Sequence, residues 1–106
     1  VVSIREVDKE EIDVLINCSP VGMRPNLEET PISSRCLRKG MVVFDSVYNP
    51  LETRLIREAK VAGCFTISGV ELFVNQAVGQ FELWTRQKAP AELMRDVVLQ
   101  GLDSKI

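Results

Sequence analysis

The chain has 106 residues, 45% of them hydrophobic and 26% charged, with a formal net charge of −2. That is one domain's length and an ordinary globular composition, which excludes disordered and collagen-like classes. With no histidine in the sequence, a Ser-His-Asp triad, a Cys-His pair and a histidine-ligated zinc site are excluded as well.

The opening segment, VVSIREVDKEEID, has no basic leader and no long apolar core, so it does not read as a signal peptide. It lacks an initiator Met, which points to a fragment or a processed chain. Ile12-Asp13-Val14-Leu15-Ile16 is a short run rich in β-branched residues and predicts a first strand. It ends in the Pro- and Gly-containing loop NCSPVGMRPN. PISSRCLRKG is too short for a full helix and predicts a loop with one turn. Met41-Val42-Val43-Phe44 predicts a second strand, and Cys64-Phe65-Thr66-Ile67 a third. Such short, nearly continuous apolar runs suit a parallel sheet buried on both faces.

Between the second and third strands, Leu51, Leu55, Ile56, Ala59 and Ala62 recur at helical spacing, and Gly63 follows as a C-terminal cap. Strand, helix and strand make a βαβ unit. After the third strand, Ser68-Gly69-Val70-Glu71 has capping-box spacing, with Ser68 as N-cap and Glu71 three positions on. The helix it opens runs to Thr85 or Arg86, with Val70, Phe73, Val74, Ala77, Phe81 and Trp84 on one apolar stripe. A last helix starts near Pro90 and runs through Leu93, Met94, Val97 and Val98 to Gly101. The fold class is therefore α/β: about three parallel strands with C-terminal helices, the pattern of half a Rossmann-like, doubly wound domain. Neither a G-x-G-x-x-G loop nor a Walker A motif is present.

No apolar run approaches the roughly 20 residues that cross a bilayer. The 13 basic residues are scattered, which leaves no footprint for nucleic acid. Cys18, Cys36 and Cys64 fit no CxxC-type metal or redox spacing and read as reduced thiols of a cytoplasm-like compartment. No metal site is expected. Asn17-Cys18-Ser19 matches a glycosylation sequon, but it closes an apolar run in a chain without a secretion signal.

Two constellations carry chemistry. Asp45-Ser46-Val47-Tyr48-Asn49-Pro50 follows a strand at its C-terminal end, where open α/β sheets bind ligands. It reads either as a ligand-facing cluster or as a turn with a helix cap from Asn49 or Thr53. Gln76 and Gln80 share a helix face, either for a substrate with several hydroxyls or as a solvated face. Gly79 in mid-helix suggests close packing or a nearby ligand. A carboxylate at Glu71 disfavours a pyrophosphate at that helix N-terminus.

The ordered segments NCSPVGM, FDSVYNPLETRLIREA and GCFTISGVELFVNQAVGQFELWT resemble the C-terminal part of the shikimate dehydrogenase family, over about Ile12 to Val98. GMRPNLEETPIS and Phe73 look most like the dehydrogenase half of plant-type bifunctional dehydroquinate dehydratase–shikimate dehydrogenases. The resemblance implies an enzyme of two α/β domains that reduces 3-dehydroshikimate to shikimate with NADPH. It implies that residues 1–106 are a partial NADP-binding domain, without the Gly-rich loop, the N-terminal substrate domain and its catalytic Lys–Asp pair. No catalytic residue is assigned to this chain, and the isolated piece is expected to be inactive.

By the same resemblance, Tyr48 and Gln76 contact the substrate, and Gln80 matches a second glutamine near it. Ser19 lies beside the cofactor, Ser46 packs near the nicotinamide, and Gly69 and Leu72 approach its ring. Cys18, Ser46, Leu72, Arg54 and Arg86 depart from the commoner residues of the family pattern. The implied location is cytoplasmic, or plastid in a plant. Two other readings stand beside this one: a stand-alone α/β binding or regulatory module, and a quinate dehydrogenase-like or NAD-preferring enzyme. An uncovered strand edge would favour self-association of the piece.

Overall fold

Three short β-branched and aromatic runs pair as a parallel sheet in the order β1-β2-β3. β1 is Val14–Asn17, β2 is Val42–Asp45 and β3 is Phe65–Ile67. The register sets Val14 beside Val42 and Val42 beside Phe65, and it ends with Asn17 beside Asp45. The computed structural model describes residues 1–103. Between β2 and β3 lies α1, Arg54–Val61, and after β3 come α2, Gly69–Thr85, and α3, Ala91–Asp103. Two 3-10 turns precede them, Ile4–Lys9 and Ser34–Cys36. The second is the single turn expected in PISSRCLRKG. The first has no periodic apolar signal to announce it.

The core sits on one face of the sheet. Val43, Leu55, Ile56, Ala59, Ile32 and Leu37 form its buried cluster, with Leu15 packed against it. Leu15 and Val43 point to this face because side chains alternate along a strand, and α1 covers them with its Leu55–Ile56–Ala59 side. Thr53 caps α1 through its hydroxyl, which accepts from the Ile56 N–H at 3.3 Å. Gly63, at φ +81°, ends it as expected.

Three expectations need correction. The runs were expected to be buried on both faces, yet Val14, Ile16, Phe65 and Ile67 are 42–68% exposed. Their alternation puts them on the second face, which no described helix covers as α1 covers the first. The capping box does not form either. Ser68 sits at the N-cap position but its side chain makes no cap hydrogen bond. Glu71 instead pairs with Arg95 on α3, so its charge ties the two helices together. The apolar stripe of α2 is also shorter than expected: Val70 and Val74 are buried, whereas Trp84 is 75% exposed. α2 ends at Thr85 with Arg86 in the left-handed region at φ 55°, and α3 runs on past Gly101 to Asp103.

Candidate functional site

The site lies at the C-terminal ends of the strands, where the chain leaves β1 for the Ser19 turn and β2 for the Tyr48 loop. The two loops meet α2 because Gly69 has no side chain. A Cβ there would stand 2.4 Å from the Val47 carbonyl oxygen and 2.6 Å from that of Ser46. Glycine therefore lets the start of α2 abut the backbone of the loop after β2.

A cavity of about 360 Å³ opens between that loop and α2, lined by Ser46, Tyr48, Gly69, Leu72, Phe73 and Gln76. Five of the seven residues assigned to a site from sequence are thus brought together. Tyr48 stacks on Phe73, with ring centroids 4.6 Å apart and planes at 30°. Among the described residues, neither the Tyr48 hydroxyl nor the Gln76 amide has a hydrogen-bond partner within the chain. Leu72 and Phe73 supply an apolar wall beside these polar groups. A second cavity, of about 480 Å³, lies on the other side of the Tyr48 loop; Ser19 lines it together with Ser46 and Tyr48. Gln80, one turn further along α2, lines neither cavity.

Beneath the loops lies a buried polar knot. Asp45 is fully buried. Its Oδ1 accepts from Asn17 Nδ2 at 3.1 Å and from the Val47 N–H at 3.0 Å, and its Oδ2 accepts from the Thr53 hydroxyl at 2.6 Å. Asp45 therefore closes the turn onto Val47 and holds the hydroxyl of Thr53, the residue that caps α1. Asn17 completes the knot toward Ser19: its Oδ1 accepts from the Ser19 N–H at 3.1 Å and from the Ser19 hydroxyl at 2.6 Å. With its amide committed to Asp45 and to the Val21 carbonyl, buried Asn17 does not serve as a glycosylation acceptor in the folded chain.

Sequence reasoning gave Phe73 no site role. The signal was available, since Phe73 stands four positions after Gly69 and three before Gln76 on the same helix face. The mid-helix Gly79 is not explained by packing: a Cβ there meets nothing within 4 Å. The cysteines are free, with Cys18 exposed and Cys36 and Cys64 half-buried. Burial pushes the Cys64 thiol pKa up. Among the described residues no group of three or more His, Cys, Asp or Glu is gathered for a metal ion, and no helix is long and apolar enough to cross a membrane.

Residues 69–99 match the profile of the shikimate 5'-dehydrogenase C-terminal domain. The chain is 51% identical over 94 residues to a shikimate dehydrogenase (NADP(+)) of Methanosarcina acetivorans, a match covering 89% of this chain and 34% of that protein. It is 54% identical over 80 residues to the chloroplastic bifunctional 3-dehydroquinate dehydratase/shikimate dehydrogenase of Arabidopsis thaliana, covering 76% of this chain and 13% of that one. A crystal structure of a shikimate dehydrogenase in complex with NADP+ superposes with a TM-score of 0.85 at 37% identity, over 92% of this chain and 34% of the other. The chain thus spans about a third, or less, of the length of these relatives. Sequence and fold together place the chain in the shikimate dehydrogenase family, as a counterpart of its C-terminal part.

Proposed function

We propose that the protein carrying this chain interconverts 3-dehydroshikimate and shikimate with NADP(H), and that residues 1–106 are the C-terminal part of its cofactor domain. The observation that carries the reading is the convergence of Ser46, Tyr48 and Gln76 on one cavity at the strand ends, beside the apolar Leu72 and Phe73. A phenol, a hydroxyl and an amide without partners in the chain suit a small ring bearing several hydroxyls. A flat, partly apolar nicotinamide fits the Leu72 wall and the backbone of Gly69. When bound, the cofactor supplies the hydride.

In this reading Tyr48 and Gln76 hold substrate hydroxyls and Gln80 stands as an outer contact. Ser46, Gly69 and Leu72 flank the nicotinamide, and Ser19 meets the cofactor on the far side of the Tyr48 loop. Acid–base catalysis is assigned to no residue of this chain. Glu71 and Arg95, paired at the start of α2, leave that helix end without an appeal for phosphate. The phosphates are accordingly assigned elsewhere in the protein. The proposed location is the cytoplasm, or the plastid if the protein is a plant's.

The uncovered second face of the sheet supports one more element of the proposal, that the isolated 106-residue piece self-associates; with acid–base catalysis and phosphate binding assigned elsewhere, that piece is also proposed to be inactive. The reading is tested by assaying the intact protein for NADPH-dependent reduction of 3-dehydroshikimate, with quinate and NAD in parallel. Reduction with NADPH supports it. Turnover confined to quinate with NAD favours the quinate dehydrogenase-like alternative, and no turnover of either kind favours a binding module.

A further inference from the structure

Asn17, Asp45 and Thr53 are the buried polar side chains of the described core, at 5%, 0% and 1% exposure, and all three belong to one hydrogen-bonded unit. Burying a carboxylate, an amide and a hydroxyl is costly unless each is satisfied. A core needing only stability is served as well by apolar residues of similar volume. Here the bonds made by Asp45 join three segments. Asp45 reaches across the sheet to Asn17 at the end of β1, forward to the Val47 N–H in its own loop, and over to Thr53 at the start of α1.

Only one orientation of the Asn17 amide works. Its Nδ2 must face the Asp45 carboxylate, which only accepts, and its Oδ1 must face the Ser19 N–H, which only donates. Ser19 then passes the linkage on, its hydroxyl accepting from the Val21 N–H at 3.3 Å. The turn passes beside the unit at Gly22, at φ +92°, where a Cβ would be in ordinary contact with the Thr53 Cβ at 3.8 Å and would stand 3.2 Å from the Glu29 carbonyl oxygen. The Val47 loop is held from above as well, by the close approach of Gly69 to its carbonyls.

We propose that Asp45, Asn17 and Thr53 form a positioning unit that fixes the Ser19 turn relative to the Tyr48 loop, so that the two cavities flanking Ser46 and Tyr48 stay aligned. The three residues are buried and line neither cavity. Their effect on turnover rests on the function proposed above; their effect on the two loops does not.

The test uses the intact protein and two readouts. Thr53→Val removes the hydroxyl at nearly constant shape, and Thr53→Ser returns it. Amide hydrogen exchange is followed at Ser19, Val21 and Val47 without ligand, and kcat and KM are measured for substrate and cofactor. Thr53→Val is expected to speed exchange at Ser19 and Val21, three and four hydrogen bonds away, by about fivefold or more, and to raise KM for the cofactor with a smaller change in kcat. Thr53→Ser is expected to restore both. Should Thr53→Val not fold, Ser19→Ala tests the same coupling in reverse at the Val47 amide, because coupling is reciprocal. A folded Thr53→Val that melts earlier but leaves Ser19 and Val21 exchange and KM unchanged overturns the proposal, as does Ser19→Ala without effect at Val47. A wild-type protein without dehydrogenase activity overturns the proposed function alone, and the exchange readout then decides the positioning claim.

Discussion

Tyr48 and Phe73 stack across the candidate site, with ring centroids 4.6 Å apart. The contact joins the loop after β2 to the first turns of α2 and fixes the plane of the phenol, leaving its hydroxyl at the cavity. Such aromatic pairs contribute about 0.5–1.5 kcal/mol beyond the area they bury. Phe73→Leu keeps an apolar wall and loses the stack. It is expected to raise KM for shikimate in the intact protein roughly 2- to 10-fold with the fold preserved. Tyr48→Phe keeps the stack and loses the hydroxyl, so its loss isolates the polar contact. Steady-state kinetics and circular dichroism on both variants check this; wild-type kinetics in Phe73→Leu would contradict the orienting role.

Gly69 is the position where a single methyl group meets backbone. Its Cβ would stand 2.4 Å from the Val47 carbonyl oxygen, an immobile neighbour. Gly69→Ala is expected to cost about 2–4 kcal/mol as α2 shifts off the loop. Gly79→Ala is the control. Nothing lies within 4 Å of its added Cβ, and alanine favours a helix interior by about 1 kcal/mol. Denaturant melts of the two variants should move in opposite directions.

How much of this was legible depends on the range of the interaction. The strands and helices follow from periodicity, which is local, and their cores fall within a residue or two of the expected places. Gly63 as a helix end and Thr53 as a cap were legible for the same reason. The capping box failed because Glu71 had a better partner 24 positions on, Arg95, and a local motif carries no information about it. The burial of Val14, Ile16, Phe65 and Ile67 was misjudged because their apolar character suits a sheet covered on both faces, while the described residues cover one. The motif order led to Tyr48 and Gln76 directly. Phe73 was missed as a site residue since an aromatic on an apolar stripe reads first as core. The joint role of Asn17, Asp45 and Thr53 needed the register that sets Asn17 beside Asp45.

The cysteines should differ in reactivity. Cys18 is exposed, whereas Cys64 is half-buried with its pKa raised by burial, and its thiol donates to the Arg38 carbonyl. A raised pKa lowers the thiolate fraction near neutral pH, and thiolate is the nucleophile. At pH 7–8, alkylation followed by mass spectrometry should mark Cys18 before Cys64. The gap should narrow as pH rises and Cys64 ionises. Equal rates at neutral pH would contradict this.

The isolated piece should not behave as a clean monomer. Phe65 at 68% exposure and Val14 at 54% stand on an open sheet face whose outer strands have no further strand beside them among the described residues. Sedimentation of the 106-residue piece is expected to show self-association that deepens with concentration. A single monomeric species with a cooperative melt would contradict it.

The central claim is that Gln76, facing the cavity beside Tyr48, holds the substrate of a shikimate dehydrogenase. The most direct measurement is kcat/KM for shikimate with NADP+ in the intact protein, wild type against Gln76→Ala. The account predicts turnover by the wild type and a loss of about 10-fold or more in the variant, the size of one removed hydrogen bond of about 1.5 kcal/mol. Absence of shikimate oxidation in the wild type, or an unchanged kcat/KM in Gln76→Ala, would contradict it.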